Sequence, residues 1–197
     1  MLELIYPFDT QVPLLPTKNA CSVTSDDMPD GEMFPIVDEN GIVTARSARE
    51  YCHGGGMLLH PVVHLHIIDH HQRLYLQKRS AKKDLFPGRW DTAVGGHVKY
   101  GETILEALSR EAAEELSLEE FNPIFLGAYT WESKRERELV NVFAAVGSYD
   151  LRPDRDEVDE GRWWTIGEME AVLNSSVFTP NFVSEYKSIK DKLLALL

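Results

Sequence analysis

The segment that constrains this chain most is residues 95–118, a glycine pair leading into a helix whose start, face and charge can all be read from the residues. Thr103, with Glu106 three positions on, forms a capping box, so a helix is predicted from Thr103 to about Leu116. At about 100° per residue, Leu105, Leu108, Ala112 and Leu116 fall in one narrow stripe, which predicts the buried face. Glu111, Glu114 and Glu115 stand at i, i+3 and i+4 and share a separate flank. Like charges so placed repel by about 0.2–0.5 kcal/mol per pair. Arg110 offsets part of this, and a hard divalent ion with oxygen ligands suits the arrangement better. Taken alone, the carboxylates fit a solvated acidic face equally well.

The rest of the chain reads as a mixed α+β domain. Phe34–Val37 and Ile42–Arg46 flank Asp38-Glu39-Asn40-Gly41, a hairpin turn sequence. Val62–Ile68 and Leu74–Gln77 are β-rich runs joined by a polar segment, a second hairpin. Trp90–Val94, Ile124–Trp131, Leu139–Val146 and Arg162–Thr165 are predicted as further strands. Thr165 with Glu168, and Thr179-Pro180, open two more helices. In the last of these Phe182, Tyr186, Ile189 and Leu193 recur at helical spacing, so one face should dock on the body. Strands joined mostly by hairpins, with helices between groups, favour α+β over a doubly wound parallel sheet. Residues 1–30, broken by Pro7, Pro13, Pro16 and Pro29, are predicted to form an N-terminal arm, and 31–197 the domain proper.

Charge narrows the partners. The 197 residues carry a formal net charge of −12, which repels a phosphate backbone and argues against a nucleic-acid polymer. It does not argue against a phosphorylated small molecule, because a divalent cation can bridge carboxylates to phosphates. Cys21 and Cys52 are too few and too irregularly spaced for a disulfide scaffold or a zinc ribbon. Neither a secretory signal nor an apolar run of membrane-spanning length is evident, so the expected setting is the cytoplasm.

Gly96, five residues, Glu102, seven residues, Arg110-Glu111, Ala112, one residue, Glu114-Glu115, one residue and then Ser117-Leu118 resembles the Nudix box, with a single departure. The resemblance implies an α/β/α sandwich with a mixed central sheet, and a loop–helix that sets Mg²⁺ or Mn²⁺ against a substrate diphosphate. It makes Glu111, Glu114 and Glu115 metal ligands, with the Gly95 carbonyl as a further one. Arg110 orients Glu111, and Glu102 is a supporting carboxylate near the metal. The candidates for general base are Glu111, Glu160 and Glu138. The departure is Ser117 where the family has glycine. A left-handed helix cap there costs a non-glycine residue about 1 kcal/mol.

Outside the box the chain is similar to the isopentenyl-diphosphate isomerase branch of the same superfamily. The likeness covers roughly residues 34–182 and includes Gln77-Lys78-Arg79, Phe86-Pro87-Gly88, Trp90, Gly96-His97 and Phe178-Thr179-Pro180. It implies a second set of ligands, His53, His60, His97, Glu136 and Glu138, which imidazole and carboxylate chemistry makes coherent. His64 and His66 alternate on one strand face as substrate-pocket or core residues, and Arg79 belongs with the substrate-binding residues.

The isomerases move a proton with a cysteine beside the loop histidine, and here that position is Gly95. The expectation is therefore an isomerase-like frame carrying hydrolase chemistry. The substrate would be a nucleoside diphosphate derivative or a prenyl diphosphate. The alternatives are an isomerase, which Gly95 disfavours, and a nucleotide-derivative-binding regulatory module, which the retained carboxylates disfavour. A homodimer is implied by the family.

Overall fold

The computed structural model describes residues 31–83, 85–156 and 158–196. The predicted arm at 1–30 lies outside the described residues. The first hairpin is present as β1 (Met33–Val37) and β2 (Val43–Ala48), paired antiparallel. Its turn is held by Asp38, whose carboxylate accepts from the backbone N–H groups of Asn40 and Ile42. Next come a short helical turn, α1 (Arg49–Tyr51), and a π-type turn at Cys52–Gly56.

The main sheet holds β3 (Leu59–Ile68), β4 (Arg73–Arg79), β5 (Trp90–Asp91), β6 (Val94–His97), β7 (Ile124–Glu132), β8 (Arg137–Val146) and β9 (Val158–Thr165). It is mixed: β3 runs parallel to β8 over ten residue pairs, and the other pairings are antiparallel. β3 and β4 pair only at their hairpin end, Ile67 with Tyr75 and Ile68 with Leu74. Beyond that point β6 takes the edge of β3 and β5 pairs with β4. The run predicted as one strand from Trp90 therefore breaks at Thr92-Ala93, where the Thr92 hydroxyl donates to the Leu65 carbonyl.

Alternation along β3 fills two cores. Val63, Leu65 and Ile67 pack with Ala107, Leu108, Ala112 and Leu116 of α2 (Ile104–Leu116). Val62 and Ile68 share the opposite core with Phe182, Tyr186, Ile189 and Leu193 of α4 (Pro180–Leu194). The small α3 (Ile166–Ala171) adds Met169 to that second core. This is a helix–sheet–helix sandwich, as the resemblance implied. The α4 stripe docks as its spacing predicted, with Thr179 capping and Pro180 in the first turn.

The α2 stripe needs one correction. Leu105 is 40% exposed, and Ile104 takes the buried place instead. The buried face is Ile104, Ala107, Leu108, Ala112 and Leu116, with Glu115 inside it. The helix is rotated so that its acidic flank tucks partly under the β6 loop. The capping box is present, and Ser117 adopts the left-handed cap at φ 53°, as the departure from glycine predicted. Among the described residues no helix is long and apolar enough to cross a membrane.

Candidate active site

Arg110 organises the acidic flank of α2. Its guanidinium donates to Glu102 at 2.6 and 2.9 Å, to Glu111 at 2.7 Å and to Glu114 at 3.2 Å. It also donates to the His97 carbonyl at 2.9 Å, so it ties the helix to β6. A rigid planar fork is the group able to serve so many acceptors at once. These hydrogen bonds outweigh burial at Glu102 and hold its carboxyl below the usual range.

The three box glutamates occupy different depths. Glu115 is buried, accepts from Gln77 Nε2 at 2.9 Å and faces the Gly95 N–H at 3.4 Å. Burial, reinforced by the nearby Glu111 charge, pushes its carboxyl up to about 8. Glu111 lies directly beneath Gly96, where a Cβ would overlap its carboxylate. Burial raises its pKa too, against the pull of Arg110. Glu114 stands at the rim, its side chain 55% exposed. Two carboxyl groups forced out of water side by side resist ionising together, and a cation would relieve that cost.

A second group of potential ligands lies on the other side of β6. His53, His60 and His97 bring ligand nitrogens within 4.8 Å of one another, the one such trio among the described residues. His53 Nε2 and His97 Nε2 face each other at 3.0 Å. His60 Nδ1 donates to the Leu58 carbonyl at 2.8 Å, which leaves Nε2 as a buried lone pair without a partner. That is the tautomer a metal ligand requires. Burial lowers the pKa of all three, to about 4 at His53, so each imidazole is neutral near pH 7. Glu136 approaches His53 Nδ1, and Glu138 approaches His97 Nε2, each at 3.7 Å. Burial, with the charge of Glu136, raises Glu138 to about 7. Phe34 stacks on His97 with centroids 4.5 Å apart and fixes its ring.

Between these groups a pocket of about 300 Å³ opens where β3 and β4 part. Gly95, His97, Glu115, Glu136 and Glu138 line it on the acidic side. Arg79 and Lys83 supply positive charge, and Arg79 is steadied by the Leu85 carbonyl at 3.1 Å and by Asp91 at 3.4 Å. Glu160 is not among the lining residues. It sits on β9 opposite Lys78 and is exposed.

The reading of residues missed one member. Glu185 of α4 is buried at 1% exposure and receives His64 Nδ1 at 2.8 Å, His66 Nε2 at 2.6 Å and the Tyr129 hydroxyl at 2.7 Å. Burial alone would raise this carboxyl, but the two histidines hold it far below its ordinary range. Burial would likewise depress His64, yet Glu185 overrides it and lifts the imidazole to about 9. His64 lines the pocket, while His66 is enclosed against Phe182. A glutamate inside the apolar Phe182–Tyr186–Ile189 stripe was the one available signal.

Comparison with known proteins agrees with this geometry. The NUDIX domain profile matches residues 58–183. The chain is 31% identical over 149 residues to the uncharacterized Nudix hydrolase all7351 of Nostoc sp., covering 75% of this chain and 88% of that one. It is 27% identical over 167 residues to an isopentenyl-diphosphate Delta-isomerase of Brevibacterium linens, covering 81% and 92%. The crystal structure of DR0079 from Deinococcus radiodurans superposes with a TM-score of 0.68 at 23% identity, covering 80% and 98%. The chain belongs to the Nudix hydrolase family, whose enzymes generally use divalent metal ions. Proteins named as isopentenyl-diphosphate isomerases are among its relatives.

Proposed function

We propose that this protein hydrolyses a diphosphate linkage in a small molecule with Mg²⁺ or Mn²⁺ bound at the Nudix helix. The observation that carries the reading is the placement of Glu111 and Glu115 under β6, at the edge of a pocket that also holds Arg79 and Lys83. Cationic side chains on one side and shielded carboxylates on the other suit a substrate whose phosphates are bridged by metal. Glu111, Glu114, Glu115 and the Gly95 carbonyl would hold the ion, which supplies charge neutralisation and a more acidic bound water. The protein's own part is positional. Arg110 aims Glu111 and ties Glu102 to the same fork, while Arg79 and Lys83 orient the phosphates for in-line attack. Of the candidate bases, Glu138 lines the pocket, Glu111 lies behind the pocket-lining Gly96, and Glu160 does neither. The trio His53, His60 and His97, with Glu136 and Glu138, fits a second divalent ion, because the ligand nitrogens lie within 4.8 Å of one another and the buried His60 Nε2 has no partner.

The isomerase reading lacks a proton carrier. Gly95 has no side chain, and Cys52 is packed with Phe34 and Ile36 away from the pocket. Net charge favours a small-molecule substrate over a nucleic-acid polymer. A cytoplasmic setting with no membrane contact, and a homodimer, complete the proposal.

The test is phosphorus NMR of the pure protein with Mg²⁺ and a panel of nucleoside-diphosphate and prenyl-diphosphate compounds. Cleavage that disappears in Glu115→Gln supports the proposal. Migration of the double bond in isopentenyl diphosphate with no phosphate released would overturn it, as would binding without turnover.

A further inference from the structure

β3 and β4 separate beyond the pair Ile67–Tyr75, and Glu115 of α2 lies at that split with a donor from either side. From β4, Gln77 offers its side-chain Nε2 at 2.9 Å. From β6, Gly95 offers its backbone N–H at 3.4 Å. Both donors fall on the same carboxylate oxygen, Oε2. Each carboxylate oxygen has two lone-pair sites, so Oε2 is fully spent and Oε1 is the oxygen with room for a cation.

Gln77 is well placed to set that choice. Its backbone is paired on both edges, to Asp91 of β5 and to Gly161 of β9, and the residue is only 8% exposed. A buried side chain on a strand held from both sides is a fixed frame against which a ligand can be oriented. Filling space alone does not call for an amide here, since a methionine has the same length and shape. Without the amide, Glu115 keeps only the longer bond from Gly95, and its carboxylate is free to turn Oε1 away.

We propose that Gln77 is a positioning residue for the metal site of the Nudix helix, its amide pinning Glu115 Oε2 so that Oε1 is presented to the ion. The inference rests on the hydrolase reading above, in which Glu115 is a metal ligand, and adds to that site a residue from β4, outside the box. Partners that orient a metal ligand typically carry about 10- to 100-fold in metal affinity.

The experiment titrates Mn²⁺ into the full chain and reads the free ion from its electron paramagnetic resonance signal. Gln77 also lines the pocket, so the diphosphate is left out and no contact with substrate can mimic the effect. The binding event that Glu115→Gln weakens belongs to the helix. Binding at His53, His60 and His97 is the internal control, and a cooperative melt in chelator checks folding. In Gln77→Met, affinity at the helix is expected to fall about 10- to 100-fold while the histidine site is unchanged. Should that variant fail to fold, Gln77→Asn, which keeps the amide but is too short to reach, is expected to show the same fall. A fall smaller than about tenfold in a folded variant overturns the inference and leaves the hydrolase reading standing. Equal falls at both sites overturn it too, because that is what a loosened fold produces. If Mn²⁺ binds wild type and Glu115→Gln alike, the metal-site reading itself fails and takes the inference with it.

Discussion

Gly96 lies directly over the Glu111 carboxylate, so close that a Cβ at residue 96 would overlap its carboxyl atoms. The glycine at the head of the box is therefore a packing requirement of the Glu111 side chain, with no call on unusual backbone torsions. Gly96→Ala should push Glu111 off its place beneath β6 while β3 and β6 stay paired. The expected result is a loss of kcat of about 100-fold or more, since displacements near 1 Å at such a site cost that much. A Tm within a few degrees of wild type should accompany it. Full activity in the alanine variant would show that Glu111 is not held where the reaction needs it.

Arg110 satisfies Glu102, Glu111, Glu114 and the His97 carbonyl from one guanidinium. Lysine keeps the charge and loses the fork, so it can hold one or two of these acceptors at a time. Arg110→Lys is expected to lower kcat about 10- to 100-fold with KM little changed, because it disorders the carboxylates and leaves the pocket-lining Arg79 in place. A KM effect with kcat preserved would place Arg110 among the substrate ligands instead. Steady-state kinetics on a cleaved diphosphate decides between the two.

Glu115 gives the metal-free protein a distinctive pH response. Its folded pKa of about 8 lies above the unfolded value of 4.5, so the folded state holds its proton longer and stability falls as pH rises from 4.5 toward 8. His64, raised to about 9, adds a loss of the same sign from 6.5 to 9. His53, lowered to about 4, acts oppositely, but only below 6.5. Between pH 6.5 and 8 Glu115 and His64 pull together, each by up to about 1.4 kcal/mol per pH unit. In chelator, Tm should therefore drop across that window, and Glu115→Gln should flatten much of the drop. Mg²⁺ should flatten it too, because the proposed site would bind the ion through Glu115 as the carboxylate. Thermal melts at several pH values, with and without metal, check this. A chelated protein that gains stability from pH 6.5 to 8 would falsify the account.

What could be read from the residues was what is local. The capping box at Thr103, the docking stripe of α4 and the left-handed place of Ser117 follow from spacing and side-chain chemistry within a few residues. The convergence of His53, His60 and His97 was legible only through a family likeness, since nothing local links residue 53 to residue 97. Glu185 was illegible for the same reason, as its partners His64 and His66 lie 121 and 119 residues away. Leu105 misled because the period of a helix fixes a stripe only to within a residue, and Ile104 beside it is equally apolar. Glu160 drew attention through its position before the predicted strand Arg162–Thr165, yet β9 begins at Val158 and Glu160 lies within it, exposed and outside the pocket lining.

Ser117 ends α2 at φ 53°, with its N–H on the Ala113 carbonyl and the Leu118 N–H on the Ala112 carbonyl. That pairing satisfies the last turn but keeps a Cβ in a left-handed conformation, which glycine adopts without penalty. Glycine also loses more freedom on folding, so the net gain from Ser117→Gly is smaller than the torsional strain alone. An increase in unfolding free energy of about 0.5–1 kcal/mol is expected from urea titration, with kcat unchanged. Ser117→Val tests the opposite direction, because a β-branched residue tolerates positive φ least, and should destabilise by more than about 1 kcal/mol. The two substitutions together separate a strained helix end from a serine that serves through its hydroxyl. Were Gly and Val to weaken the protein equally, the hydroxyl rather than the torsion would be what residue 117 contributes.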